Sequence, residues 1–175
     1  QRSWAVAAEV GYQLPKVWAA PWVRAGYFAS SGDGDPGDDD HATFFQLLPT
    51  SRLYAFTPFY NLMNDQDTFV QLIAKPLAGV SVRTDFHWLQ VSSGDDLLYF
   101  GGGATKQDFF GYGGTAAGGD RQIGYVAEIS VSWKPLPVLE IAGYYGHTFG
   151  GAVVRHGFPG RDDIDYGFVE MTVAF

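Results

Sequence analysis

Cysteine is absent from this 175-residue chain. That excludes disulfides and thiolate metal sites and leaves the compartment open. Charge is scarce, at 17% of residues, with 11 basic against 19 acidic side chains. A net charge of −8 argues against a nucleic-acid partner, because phosphate binding needs clustered Lys and Arg. No apolar run approaches the roughly 20 residues of a membrane helix. No window holds a convincing helical period, since Gly and Pro interrupt most of them. Gln1-Arg-Ser-Trp4 opens directly into a strand pattern with no leader before it. An exported product would have lost its signal or would carry it upstream.

What is present is apolar and chopped. The chain is 46% hydrophobic, with 23 Gly, 14 Phe, 10 Tyr and 5 Trp. The clearest piece is Asp165-Tyr-Gly-Phe-Val-Glu-Met-Thr-Val-Ala-Phe175. Gly167, Val169, Met171, Val173 and Phe175 share one face of a period-two pattern, and Tyr166, Phe168, Glu170, Thr172 and Ala174 share the other. A final Phe after such a strand resembles the closing strand of an outer-membrane barrel; a last strand of a soluble sandwich reads the same locally.

Six more strands precede it: about Arg2–Leu14, Ala20–Ser30, Thr68–Leu77, Val80–Ser92, Gln122–Lys134 and Val138–Phe149. Each is about 10–13 residues long, where soluble strands average about 5–6. Ten residues at roughly 3.3 Å each, tilted near 40°, rise about 25 Å, the height of an outer-membrane apolar band. The connections alternate. Pro15-Lys16-Val17-Trp18, Pro76-Leu77-Ala78-Gly79 and Pro135-Leu136-Pro137 are short, and residues 31–67, 93–121 and 150–163 are long. Short periplasmic turns and long outer loops are the asymmetry of membrane barrels. Lys75-Pro76-Leu77 and Lys134-Pro135-Leu136 form a weak repeat. Trp4, Trp18, Trp22, Trp88, Trp133, Tyr144, Tyr145, Phe149 and Phe175 lie near strand ends, as interfacial girdles would.

The expected fold is therefore all-β: an antiparallel transmembrane β-barrel, residues 1–175 forming a single barrel domain incomplete at its N-terminus. Seven is odd, whereas single-chain bacterial barrels have even counts. Tracing direction back from a periplasmic C-terminus puts the first strand's start outside the cell. Both point to the C-terminal portion of a larger barrel. An eighth strand over Arg52–Met63 is the alternative, disfavoured because Pro58 cannot donate to a central ladder.

After the Arg24-Ala-Gly-Tyr27 strand comes Ser-Gly-Asp…Asp…Thr-Phe…Gln-Leu-x-Pro-Thr, ending at Thr50, followed by Tyr54, Phe59, Asn61 and the Lys75-Pro76-Leu77 turn. This stretch resembles the alginate-export family of outer-membrane porins, most strongly over Arg24–Lys75. The resemblance implies a barrel of about eighteen strands in the bacterial outer membrane, lipid around it, and passive passage of an anionic polysaccharide or small polar solutes. It implies no enzyme.

With the aligned apolar residues facing lipid, Glu9, Arg24, Gln71, Lys75, Arg83, Asp85, His87, Glu128, Lys134, Glu140 and Glu170 face the lumen. Nearly every mid-strand charge takes that phase. A Lys or Arg facing mid-membrane lipid would cost about 2–4 kcal/mol. These residues either pair across strands or line a selectivity path. Arg24, Arg83 and Lys75 are the cations for an anionic cargo, against Glu9, Asp85, Glu128, Glu140 and Glu170.

Asp33, Asp35, Asp38 and Asp40 with Gly spacers are hard oxygen ligands suited to Ca²⁺, or else a solvated acidic loop of turn formers. No other cofactor is expected. A membrane-embedded enzyme would draw on His87 with Asp85, but no Gly-x-Ser-x-Gly elbow accompanies them. A soluble β-sandwich carbohydrate-binding module would come off a membrane without detergent. Gly101–Gly103 and Gly113-Gly114 read as loop rather than a nucleotide site.

Overall fold

The computed structural model describes residues 2–35, 37–46, 55–57, 59–100 and 113–175. In chain order the elements are β1 (Ala5–Gln13), β2 (Trp22–Ser30), β3 (Asp65–Leu77), β4 (Val80–Val91), β5 (Leu97–Tyr99), β6 (Gly114–Ala116), β7 (Gln122–Leu136), β8 (Leu139–Gly150), α1 (Ala152–Gly157) and β9 (Asp163–Val173). One antiparallel sheet runs β1-β2-β3-β4-β7-β8-β9, and β5 pairs with β6 alone. The seven expected segments coincide with the seven strands of the main sheet. The β5–β6 hairpin and α1 were not expected; they are too short to leave a periodic trace in sequence. β1 and β9 form the two edges. Seven antiparallel strands leave those edges running the same way, so they do not complete a ladder with each other. Within Arg52–Met63, residues 52–54 and 58 lie outside the described residues, and the rest contributes no strand.

Alternation segregates the two faces. On one, Val10, Tyr12, Val70, Phe86, Trp88, Ile129, Trp133, Tyr145, Val169 and Met171 are all exposed. Register lines them into rows across the sheet. One row runs Ala8, Tyr27, Thr68, Trp88, Tyr125, Phe149 near the long-loop end. Another runs Val80, Trp133, Ile141, Met171 near the turns. Trp88 stacks on Tyr125 at 6.4 Å. Three of the aromatics expected in girdles belong elsewhere: Trp22 and Tyr144 have the opposite parity and lie on the polar face, and Trp18, in the β1–β2 turn, stands beside Lys75 and Ser81 at the end of that face.

The Lys-Pro-Leu repeat is a repeated bulge. Register slips between Ala74 and Leu77 and again between Trp133 and Leu136. Proline has no N–H for the ladder, so an extra residue is accommodated where it sits. In both copies the preceding lysine's N–H bonds back to a turn carbonyl, Lys75 to Ala19 (2.8 Å) and Lys134 to Gly79 (2.8 Å). A third slip opposes Leu89–Gln90 to β7, where Gly124 adopts φ +151°. It rotates Ile123, which alternation alone places beside Tyr125, into the interior.

Ile123 belongs to the one apolar core among the described residues, with Leu89, Val91, Leu98, Ala117, Val126, Val153 and Val154. It sits where the long loops meet the polar face. Asp96 stitches those loops: its carboxylate accepts from Asp33 N (2.8 Å), Thr43 Oγ1 (2.6 Å), Tyr99 Oη (2.6 Å) and Leu97 N (2.7 Å).

Gly124→Val is expected to destabilise by about 2–4 kcal/mol, adding strain at positive φ to a clash. The added Cβ would overlap the Phe149 carbonyl oxygen. Urea titration of the folded protein, followed by its gel mobility shift, measures the loss.

Candidate functional site

The polar face carries an unbroken transverse row: Gly11, Arg24, Gln71, Asp85, Glu128, Gly146, Tyr166. The next row toward the loops is Glu9, Gly26, Phe69, His87, Val126, Thr148, Ile164. The register thus gathers Glu9, Arg24, Gln71, Asp85, His87 and Glu128 from five strands onto one surface. Arg83 joins them from the neighbouring row. Lys75, Lys134, Glu140 and Glu170 lie farther toward the turns.

Most of these charges are matched. Arg24 reaches Glu9 at 3.2 Å, with its guanidinium 5.1 Å from the centre of the Phe69 ring. Arg83 Nε donates to Asp85 at 2.6 Å, and the same carboxylate accepts from Gln71. Lys134 lies 3.1 Å from Glu140, which also accepts from Ser132. Lys75 has no carboxylate partner among the described residues.

Glu128 does something that its place in the sequence does not announce. Its carboxylate accepts from Phe56 N (2.9 Å), Thr57 N (2.8 Å) and Tyr144 Oη (2.7 Å). Thr57 Oγ1 also meets Tyr144 Oη. The Phe56 ring packs edge-on to Tyr144 at 5.4 Å and lies under the Arg83 guanidinium at 4.1 Å. Residues 55–57 of the first long loop are therefore folded onto the middle of the polar face. A buried carboxylate must be hydrogen-bonded, and this one uses two successive backbone amides of the loop. Nearby, Tyr60 donates to Asp67 (3.3 Å). Burial first, then the Asp67 and Asp65 carboxylates, push the Tyr60 hydroxyl well above the usual tyrosine range, which keeps it a donor.

His87 does not pair with Asp85. Its Nδ1 lies 2.9 Å from Asp67 Oδ2, and its ring stacks on Phe69 at 5.6 Å. It is fully buried. Asp85 is occupied by Arg83 and Gln71, so the expected base–orienter pair is not formed. The sequence expectation begins the third strand at Thr68, one residue after Asp67, which opens β3 just before it.

The acidic loop is used as turn chemistry. Asp33 accepts from Asp35 N (3.1 Å) and Ala42 N (3.2 Å), Asp35 from Gly37 N (3.2 Å), and Asp38 from Asp40 N (2.8 Å). Among the described residues, no three His, Asp or Glu side chains group to hold a metal ion. Asp33, Asp35 and Asp38 thus each accept a backbone amide of the loop, while Asp40 donates its own amide to Asp38. The Leu47–Thr50 and Tyr54 part of the resemblance motif, and Gly101–Gly103, lie outside the described residues.

Three ionisable side chains, His147, Asp163 and Asp165, break the apolar face. Asp165 accepts from Tyr145 Oη (2.6 Å) and lies 2.8 Å from His147 Nδ1. Alternation had put nearly all strand charges on the other side; these sit three residues or fewer from the long-loop ends of β8 and β9.

Compared with known proteins, the chain matches the family model described as alginate export over residues 1–163. No curated protein matches it.

Glu128→Gln replaces one acceptor oxygen with an NH₂ that faces the loop amides. Hydrogen bonds to a charged group contribute about 1.5–3 kcal/mol, so exchange at the Phe56 and Thr57 amides is expected to quicken by roughly 10- to 100-fold. Hydrogen–deuterium exchange of the detergent-solubilised protein reads it, with the β3 and β4 amides as the unchanged reference.

Proposed function

The chain belongs to the alginate-export family, and on that premise we propose that its sheet is part of the wall of an outer-membrane β-barrel channel. The exposed apolar face meets lipid and the charged face lines the passage. The observation that carries this is the separation of the faces along the middle of the strands. One is covered by exposed Val, Ile, Tyr, Trp and Met, and among the described residues nothing packs on it. In water such a face would cost about 25 cal/mol for every Å² of apolar surface left exposed; in a bilayer it is at home. The aromatic row through Tyr27, Trp88, Tyr125 and Phe149 fits the outer interface, with Trp133 on the turn side at the inner one. In this reading the short turns lie in the periplasm and the long loops outside, as is usual for outer-membrane barrels.

An antiparallel barrel needs both edges paired, and β1 and β9 run the same way, so further strands complete the wall. A total of about eighteen accords with even-numbered barrels. The cargo we propose is an acidic polysaccharide of the polyuronate class, passing passively. Most of the lining is balanced charge, which holds the wall rigid and keeps the path wet without trapping an anion. Residues 55–57, held by Glu128, form the constriction. An enzymatic role has little to support it, since His87 is enclosed and its neighbours are committed.

The test is single-channel recording of the full-length protein in planar bilayers, with and without polymannuronate. Steady conductance blocked at micromolar polymer is expected. Conductance indifferent to the polymer would leave a general porin, and no conductance would sink the channel. Glu128→Ala is expected to raise conductance by freeing residues 55–57; an unchanged value would mean that this segment does not narrow the path.

A further inference from the structure

At the turn end of the polar face, a cleft of about 780 Å³ opens between the β1–β2 turn and the β3–β4 turn. Its lining includes Trp18, Lys75, Pro76, Ser81, Lys134 and Glu140. Small-molecule sites have about this size, roughly 300–1,000 Å³, and combine apolar surface with a few placed polar groups.

Three features set this cleft apart from the rest of the face. First, Trp18 is 79% exposed, an unusual state for an indole beside two hairpins with ample apolar surface to cover it. Second, the two residues after it hold left-handed backbone without being glycine: Ala19 at φ +64° and Ala20 at φ +41°. Such residues cost about 1–3 kcal/mol each and persist only where the surroundings hold them. Here Ala20 N bonds to Val17 O (2.9 Å) and Ala19 O accepts from Lys75 N (2.8 Å). The strained turn is thereby tied to the strand that carries Lys75. Third, Lys75 is the polar-face cation without a carboxylate partner, while Arg24, Arg83 and Lys134 each have one.

We propose that this cleft is a subsite for one acidic sugar unit at the periplasmic mouth. A pyranose has an apolar C–H face and a polar rim. The broad, exposed indole of Trp18 offers a flat surface for that face. The Lys75 ammonium takes the carboxylate, as a rotatable point charge suited to an anion that must move on. The Lys134–Glu140 pair and the Ser81 hydroxyl offer donors and acceptors to the ring hydroxyls. An ammonium alone would take any anion and an indole alone any sugar; together they select a sugar acid. The assignment rests on the reading that the polar face lines a passage, but its test does not.

The test is isothermal titration calorimetry of the full-length protein in detergent with tetragalacturonate, and with maltotetraose as the uncharged counterpart. Trp18→Ala and Lys75→Gln are each expected to weaken tetragalacturonate binding by about tenfold, the loss of one good contact. Trp18→Phe, which keeps a ring in the strained turn, is expected to retain most of the affinity, and it guards against a folding defect in the alanine variant. Maltotetraose is expected to bind at least tenfold more weakly than the acid. Unchanged affinity in both variants, or equal affinity for the two oligosaccharides, would overturn the subsite. Absence of binding by the unaltered protein would overturn it too, while conductance in plain KCl would still decide the channel separately.

Discussion

Every residue of a strand must belong to one side or the other, and this sheet depends on that constraint. Among the described residues no second layer covers its apolar face. Its solution is to sort side chains by polarity with hardly an exception, and to hand each face to a different solvent. The ionisable departures, His147, Asp163 and Asp165, lie near the loops, where their polarity is least costly, and His147 and Asp165 form a bonded group with Tyr145. The β-bulges are the controlled interruptions of the sorting. Two absorb a proline at the turns, and the one at Gly124 turns Ile123 inward.

The polar face, once assembled, is mostly occupied with itself and with its loop. Arg24, Arg83 and Lys134 are neutralised by neighbours. Glu128 is spent on loop amides. The same pairing leaves few cations of this face uncommitted, and among the described residues Lys75 stands out on that count.

Much of the sheet was legible in sequence, because period-two alternation over a dozen residues is a local signal that no long-range contact can disguise. The seven long strands, their turns and the phase of Glu9, Arg24, Gln71, Asp85 and Glu128 follow from it directly. What alternation does not carry was missed. The slip at Gly124 shifts phase without changing composition. Asp67 was counted as loop although it opens β3 and holds His87. The inward fold of residues 55–57 depends on a carboxylate 71 positions away, and only a hydrogen-bond count in three dimensions exposes it. The Asp-rich stretch reads as ligands because sequence shows oxygen donors but not their direction; Asp33, Asp35 and Asp38 accept amides of their own loop.

The two free edges of the sheet carry one more implication. Because β1 and β9 point the same way, the unlike edges of two copies could meet only as parallel strands, the less stable pairing. Like edges could meet antiparallel about a two-fold axis, β9 on β9 or β1 on β1. Such a pairing is symmetric and sets the turn end of one copy beside the loop end of the other. A strand that caps either edge abolishes that assembly without touching a single side chain of the passage.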